Sequence, residues 1–236
     1  MRLNVILGQR NVNYVREYGL DNLFGVQDVL VGSDLAFTLG RTIGSVATSG
    51  SKPQDDLFGS LDIYAGWTGA RWLITTRFRA EARQVFDDGV DSTSVADAGG
   101  TRDVMVESET YTYIRPWGPN RHTFVGRMQF QGGWDMETPF QLTLGGRYGV
   151  RGYGEDAYPG GQRLVVNLEE RSAFRWPNST LFDLGFTVFG DLGAVWASGA
   201  PFGVDSGLKA SVETNAGSAG SSRRLRPPPL FSRRTR

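Results

Sequence analysis

The stretch Leu144-Gly-Gly-Arg-Tyr-Gly-Val-Arg-Gly-Tyr-Gly-Glu-Asp-Ala-Tyr-Pro-Gly-Gly161 decides how this chain is read. It is too rich in glycine to read as a strand or a helix. Glycine at this density lets the backbone take positive φ and approach other backbone closely. A solvated surface loop has no need of either property, whereas a long loop that folds back and docks inside a larger structure needs both. Between the pairs Gly145-Gly146 and Gly160-Gly161 stands one compact motif, Val150-Arg151-Gly152-Tyr153.

Working outward, the flanking segments alternate with a period of two, which fits strands and not helices. Residues 121–134 set Phe124, Met128 and Phe130 against Thr123, Arg127, Gln129 and Gln131. Residues 162–174 set Leu164, Val166 and Leu168 against Arg163, Asn167, Glu169 and Arg171. Residues 181–197 carry Phe182, Leu184, Phe186, Val188, Leu192 and Trp196 on one face. Upstream, 57–69 and 71–84 form the clearest hairpin. Leu61, Ile63, Trp67, Trp72, Ile74 and Phe78 lie on one side and Asp62, Tyr64, Arg77, Arg79, Glu81 and Arg83 on the other. Three arginines and a glutamate on one strand face require water. Trp67 and Trp72 bracket the turn as an interfacial aromatic girdle would. Further strands are expected over 2–17, 26–42, 103–116 and, in part, 207–212, about nine in all. The connections alternate short and long, with 18–25 among the short ones, as in an up-and-down barrel with tight turns at one end and long loops at the other.

Composition supports this reading. Thirty-two glycines and 12% aromatic residues go with a mean hydropathy of −0.30. A membrane barrel hides its apolar surface in every second residue, so its overall hydropathy stays low. No apolar run is long enough for a transmembrane helix, and the first ten residues do not read as a secretory signal. Cysteine is absent and His122 is the only histidine, which leaves almost no material for a thiol nucleophile, a Ser-His-Asp triad or a His-based metal site. Neither a metal nor a cofactor is expected, and Gly149 to Gly154 lacks the Gly-Lys-Ser/Thr of a phosphate loop. His122 is placed at a strand end on the lipid-facing side. The formal charge is zero, but six arginines fall within 223–236 with no acid among them. The fold expected is therefore all-β: an incomplete antiparallel transmembrane β-barrel over residues 1–212 with a long inward-folded glycine-rich loop. Residues 213–236 read as a disordered Arg/Pro-rich tail, for which no nucleic-acid partner is expected.

The order Leu-Gly-Gly, Val150-Arg151-Gly152-Tyr153, a second glycine pair, Asn167-Leu168-Glu169 and Phe189-Gly190-Asp191-Leu192-Gly193 resembles the C-terminal barrel of the bacterial surface-antigen superfamily. That superfamily holds the BamA and TamA assembly factors and the two-partner secretion transporters. The resemblance runs from about residue 121 to 196 and ends near 212. It implies a non-enzymatic protein of the bacterial outer membrane that inserts or translocates client polypeptides. It also implies further strands, closing on an aromatic one, so a truncation or a shifted reading frame would account for the Arg/Pro-rich end. The alternatives are a passive pore or structural outer-membrane protein, and a non-functional fragment of a larger transporter. Expected partners are outer-membrane lipid, client polypeptides, and a second copy or further strands at the open edge.

Strand parity adds a site to this outline. If Leu164, Val166 and Leu168 face lipid, Glu169 faces the lumen; if Val188 and Leu192 face lipid, so does Asp191 face inward. The resemblance makes Arg151 the arginine that a folded-in loop carries toward such acids. A planar guanidinium suits a clamp between two carboxylates.

Overall fold

The structure, a computed structural model, describes residues 2–21, 25–42, 55–86, 99–117, 122–137, 139–174, 184–200 and 202–218. Eleven strands account for most of them: β1 Arg2–Tyr18, β2 Val26–Thr42, β3 Asp56–Thr68, β4 Trp72–Val85, β5 Gly100–Ile114, β6 His122–Trp134, β7 Leu142–Leu144, β8 Tyr158–Gly160, β9 Gln162–Phe174, β10 Leu184–Trp196 and β11 Lys209–Ser218. Nine of them make one antiparallel sheet in the order β1-β2-β3-β4-β5-β6-β9-β10-β11, and β7 pairs with β8 alone. The described residues contain no helix. The sheet is not closed, so β1 and β11 are its edges.

The register shows why the alternation in the sequence becomes two faces. One row across the sheet reads Leu35, Ile63, Phe78, Ser108, Phe130, Leu164, Ala194. The row beside it, pointing the other way, reads Asp34, Tyr64, Arg77, Glu109, Gln129, Val165, Gly193. Successive side chains of a strand alternate faces, so an unbroken register keeps each row on one side of the sheet. We call these the outer and inner faces. Large apolar side chains on the outer face are left open: Phe37 is 41% exposed and Leu168 58%.

Parity breaks at two places: a bulge opposite Glu81–Arg83 shifts the β4–β5 register, with Asp103 at φ +48°, and β2 reverses at Gly32. Leu35, Phe37 and Leu39 point outward, yet Val29 and Val31 of the same strand pack against the inner-face cluster of Leu20, Leu73, Tyr113 and Val125. Gly32 carries φ +105°, and a Cβ there would run into the Asn11 carbonyl oxygen. Only glycine can make this reversal, and it gives the lower half of the first hairpin an inward apolar side.

Three segments differ from the sequence expectation. The first is the β1–β2 connection, expected as a plain short link. Its residues Gly19 and Leu20 are buried, and Leu20 joins Leu73, Tyr113 and Val125 in an inner-face core. Those partners lie on β4, β5 and β6, so the turn crosses the inner face at the short-turn end. The Thr123 hydroxyl donates to the Gly19 carbonyl (2.6 Å), the Tyr113 hydroxyl to Asp21 (2.9 Å), and buried Arg115 to the Tyr18 carbonyl (2.6 Å) and Glu17 (2.7 Å). Sequence periodicity cannot show this, because the bonded residues stand 92 to 104 positions apart in the chain.

The second is β11, which runs to Ser218, past the expected end at 212 and into the segment read as tail. Residues 213–218 show no apolar alternation, so side-chain pattern could not mark them. Backbone pairing with β10 makes the strand, from Gly193↔Lys209 to Leu184↔Ser218. The rest of the tail, 219–236, and residues 181–183 of the expected strand lie outside the described residues.

The third is the glycine-rich stretch, whose two ends do form strand: Leu142–Leu144 pairs with Tyr158–Gly160 and closes the neck of the loop.

Candidate functional site

The loop between β7 and β8 lies against the inner face of β6, β9 and β10. Gly145 (φ +125°), Gly146 (φ +73°) and Gly152 (φ +87°) supply left-handed backbone. At Gly149, whose φ is ordinary, a Cβ would sit 2.8 Å from the Gly145 carbonyl oxygen, so the requirement there is close approach of two backbone segments. The folded loop presents Val150, which is fully buried with Leu144, Val165 and Val195; Tyr153 and Tyr158 pack on the rim of that cluster. Tyr153 also donates to the Ala210 carbonyl of β11 (3.3 Å).

Arg151 follows Val150 and meets both acids. Its Nε donates to Asp191 Oδ2 (2.7 Å) and its NH2 to Asp191 Oδ1 (2.6 Å), while NH1 donates to Glu169 Oε1 (2.5 Å). The backbone N–H of Arg151 adds a bond to Asp191 Oδ2 (2.9 Å). The guanidinium lies 3.6 Å over the Phe189 ring, a cation–π contact. The Asp191 side chain is 0% exposed and that of Glu169 16%. A carboxylate this buried is tolerated only when its lone pairs are filled, and Asn167 supplies one more donor, Nδ2 to Oδ1 (2.8 Å). Burial alone would lower the Arg151 pKa; the hydrogen bond of Asp191 and the charge of Glu169 outweigh it and hold the group above the ordinary arginine value.

Parity placed the acids, but it did not name the groups that hold the loop backbone. Asn167 Nδ2 donates to the Gly149 carbonyl (2.9 Å), Arg127 NH1 to the Tyr148 carbonyl (3.0 Å) and Arg163 NH1 to the Thr143 carbonyl (2.7 Å). All three side chains stand on the inner face. Their inward parity was readable, but the loop carbonyls they reach were not. Phe189 was likewise readable as inward and not as the surface under the guanidinium.

Glu169 extends the site. Its second oxygen, Oε2, accepts from Arg171 Nε (2.7 Å) and NH2 (2.6 Å). Arg171 NH1 donates in turn to the Leu20 carbonyl (3.2 Å) and to Asp21 (3.4 Å). A chain Asp191–Arg151–Glu169–Arg171–Asp21 thus links the loop docked from one end to the turn docked from the other, with Glu169 shared between two arginines. Replacing Arg171 with methionine is expected to loosen the turn by about 2 kcal/mol and leave loop 145–161 docked. Hydrogen exchange at Leu20 and Asp21 should quicken while Val150 stays protected; equal quickening at both would mean that the two segments move as one.

The remaining inner-face arginines are matched locally. Arg79 pairs with Asp62 (2.9 Å), Arg127 with Glu109 (2.8 Å), and Arg83 bridges Asp56, Asp103 and Glu137. Arg77 lies over the Tyr64 ring at 5.5 Å. On the outer face, His122 Nδ1 is 2.8 Å from both Glu170 Oε1 and Ser172 Oγ. The acid and the hydroxyl meet the same ring nitrogen, so the imidazole does not stand between them as a proton relay requires. Among the described residues no cluster of three or more His, Asp or Glu side chains is placed to hold a metal ion. The carboxylates of the inner site are filled by donors and its arginine stays charged, an arrangement that holds the loop in place.

A scan against protein-family models finds no match, and no curated protein matches the chain.

Proposed function

We propose that this chain is a wall of an outer-membrane β-barrel of the surface-antigen kind, non-enzymatic, with a role in inserting or translocating client polypeptides at the bacterial outer membrane. The observation that carries the reading is the loop folded onto the inner face with Arg151 clamped by Glu169 and Asp191. The open apolar rows of the outer face suit lipid, and a charged inner face suits water. The long-loop end carries Trp134 and Trp196 and the short-turn end Trp67, Trp72 and Trp117, as two interfacial girdles would. The edges β1 and β11 offer backbone to a client strand, to a second copy or to further barrel strands. Backbone left unpaired in lipid is costly, so one of these must cover them. The alternative, a passive pore, is disfavoured by two segments occupying the inner face.

The test is reconstitution into vesicles. Vesicles carrying the chain are expected to speed the folding of a small unfolded outer-membrane barrel over empty vesicles. Equal rates would sink the insertase role. A chain that stays soluble without detergent and does not enter vesicles would sink the membrane placement as well.

A further inference from the structure

We infer that the outer face carries a binding site for a phospholipid with a primary-amine headgroup, built from the groove over β6, β9 and β10 and the carboxylate of Glu170. This rests on the reading that the outer face meets lipid.

The groove follows from the register. One outer row reads Thr112, Gly126, Leu168, Gly190, Val212. Two glycines flank a protruding leucine, so the wall is notched on either side of Leu168. The next outer row toward the short turns reads Ile114, Phe124, Glu170, Val188. Together these rows line an open groove of about 630 Å³. Its outer-face side chains are apolar apart from Thr112 and the carboxylate of Glu170; Glu169 also borders it, but its carboxylate turns to the inner face and is held by Arg151 and Arg171. Space remains at both glycines: a Cβ at Gly190 would come no closer than 3.8 Å to any neighbour, and one at Gly126 no closer than 3.6 Å.

Glu170 marks where the apolar band on β9 ends. Leu164, Val166 and Leu168 precede it on the outer face and Ser172 follows. The Ser172 hydroxyl donates to Glu170 Oε1 (2.5 Å), and His122 Nδ1 meets the same oxygen (2.8 Å). The Trp117 ring, 63% exposed, stands edge-on to His122 at 5.0 Å. Tryptophan at such a level is the mark of an interface between apolar and polar surroundings. A carboxylate accepts through four lone-pair sites, and one facing lipid needs them filled. An ammonium headgroup supplies both the counter-charge and N–H donors, while its acyl chain fills the notch beside Leu168. Anionic headgroups are repelled by the same carboxylate, and a choline headgroup brings charge but no N–H.

The full chain, freed of lipid in detergent micelles, would be titrated with dioleoylphosphatidylethanolamine and with dioleoylphosphatidylglycerol, and the first bound lipid counted by native mass spectrometry. The ethanolamine lipid is expected to bind about fivefold more tightly. Glu170→Gln should abolish the difference. Gly190→Leu, which fills the groove from outside, should weaken both lipids and decides the matter if Glu170→Gln does not fold. Equal binding of the two lipids by the parent chain, a preference that survives Glu170→Gln, or unchanged binding by Gly190→Leu overturns the site and leaves the membrane reading standing. A chain that is soluble without detergent overturns both.

Discussion

Arg151→Ala is expected to destabilise the folded chain by about 3 kcal/mol and to release loop 145–161 to protease. The figure comes from what is left behind. Asp191, whose side chain is 0% exposed, would lose two of its charge-assisted donors and keep only those from Asn167 and the backbone of residue 151. Glu169 would fare better because Arg171 still holds it. That asymmetry puts the expected loss at the low end of the range for breaking a buried pair. Arg151→Lys should restore little, since an ammonium keeps the charge but cannot form the bidentate fork to Asp191 while also reaching Glu169. The measurements are the denaturant midpoint in detergent and the rate at which proteinase K cuts the loop. Parent-like values for both in Arg151→Ala would mean that the guanidinium does not hold the loop.

The second large effect belongs to Gly193, directly under the docked loop. A Cβ at this position would lie 2.6 Å from Val150 Cγ2 and 2.8 Å from Leu144 Cδ1. Both side chains are fully buried and have no room to retreat. Gly193→Val is therefore expected to cost about 2–3 kcal/mol by overpacking, and to do so by lifting the loop off the sheet. Gly190→Ala, three residues earlier and on the outer face, should stay within about 0.5 kcal/mol. A double-mutant cycle tests the cause: Val150→Ala removes the atom in conflict, so its effect in a Gly193→Ala background should be smaller than alone, or even favourable. Strict additivity would show that the glycine acts through something other than Val150.

The two predictions concern one object, a loop held by a charge clamp on one residue and a small apolar plug on its neighbour. Val150 is buried among Leu144, Val165 and Val195, which excludes water from beside the clamp. Exclusion of water strengthens the Arg151–Asp191 attraction, and the clamp keeps the plug seated. Coupling of this kind predicts that Arg151→Ala and Gly193→Val share one phenotype, an undocked loop, and that combining them adds little. The Arg171 branch is distinct, since it bears on the turn at 19–21 and not on Val150.

The strand rows and their two faces were legible in the sequence because a strand advertises burial every second residue, and that period survives without knowledge of any partner. The same parity sent Glu169 and Asp191 to the inner face, and glycine density marked 144–161 as a loop that packs close to other backbone. What parity could not supply is distance across the sheet. Leu20 crossing to Leu73, Tyr113 and Val125, Asn167 reaching the Gly149 carbonyl, and Phe189 lying under the guanidinium join residues whose neighbourhood only the folded sheet creates. The extension of β11 to Ser218 has the same origin: backbone hydrogen bonds to β10 hold it, and backbone carries no side-chain signature. Local chemistry thus determined which way most strand side chains point, Val29 and Val31 beyond the Gly32 reversal excepted, and tertiary structure decided what they meet there, because contact energies depend on positions that no periodicity encodes.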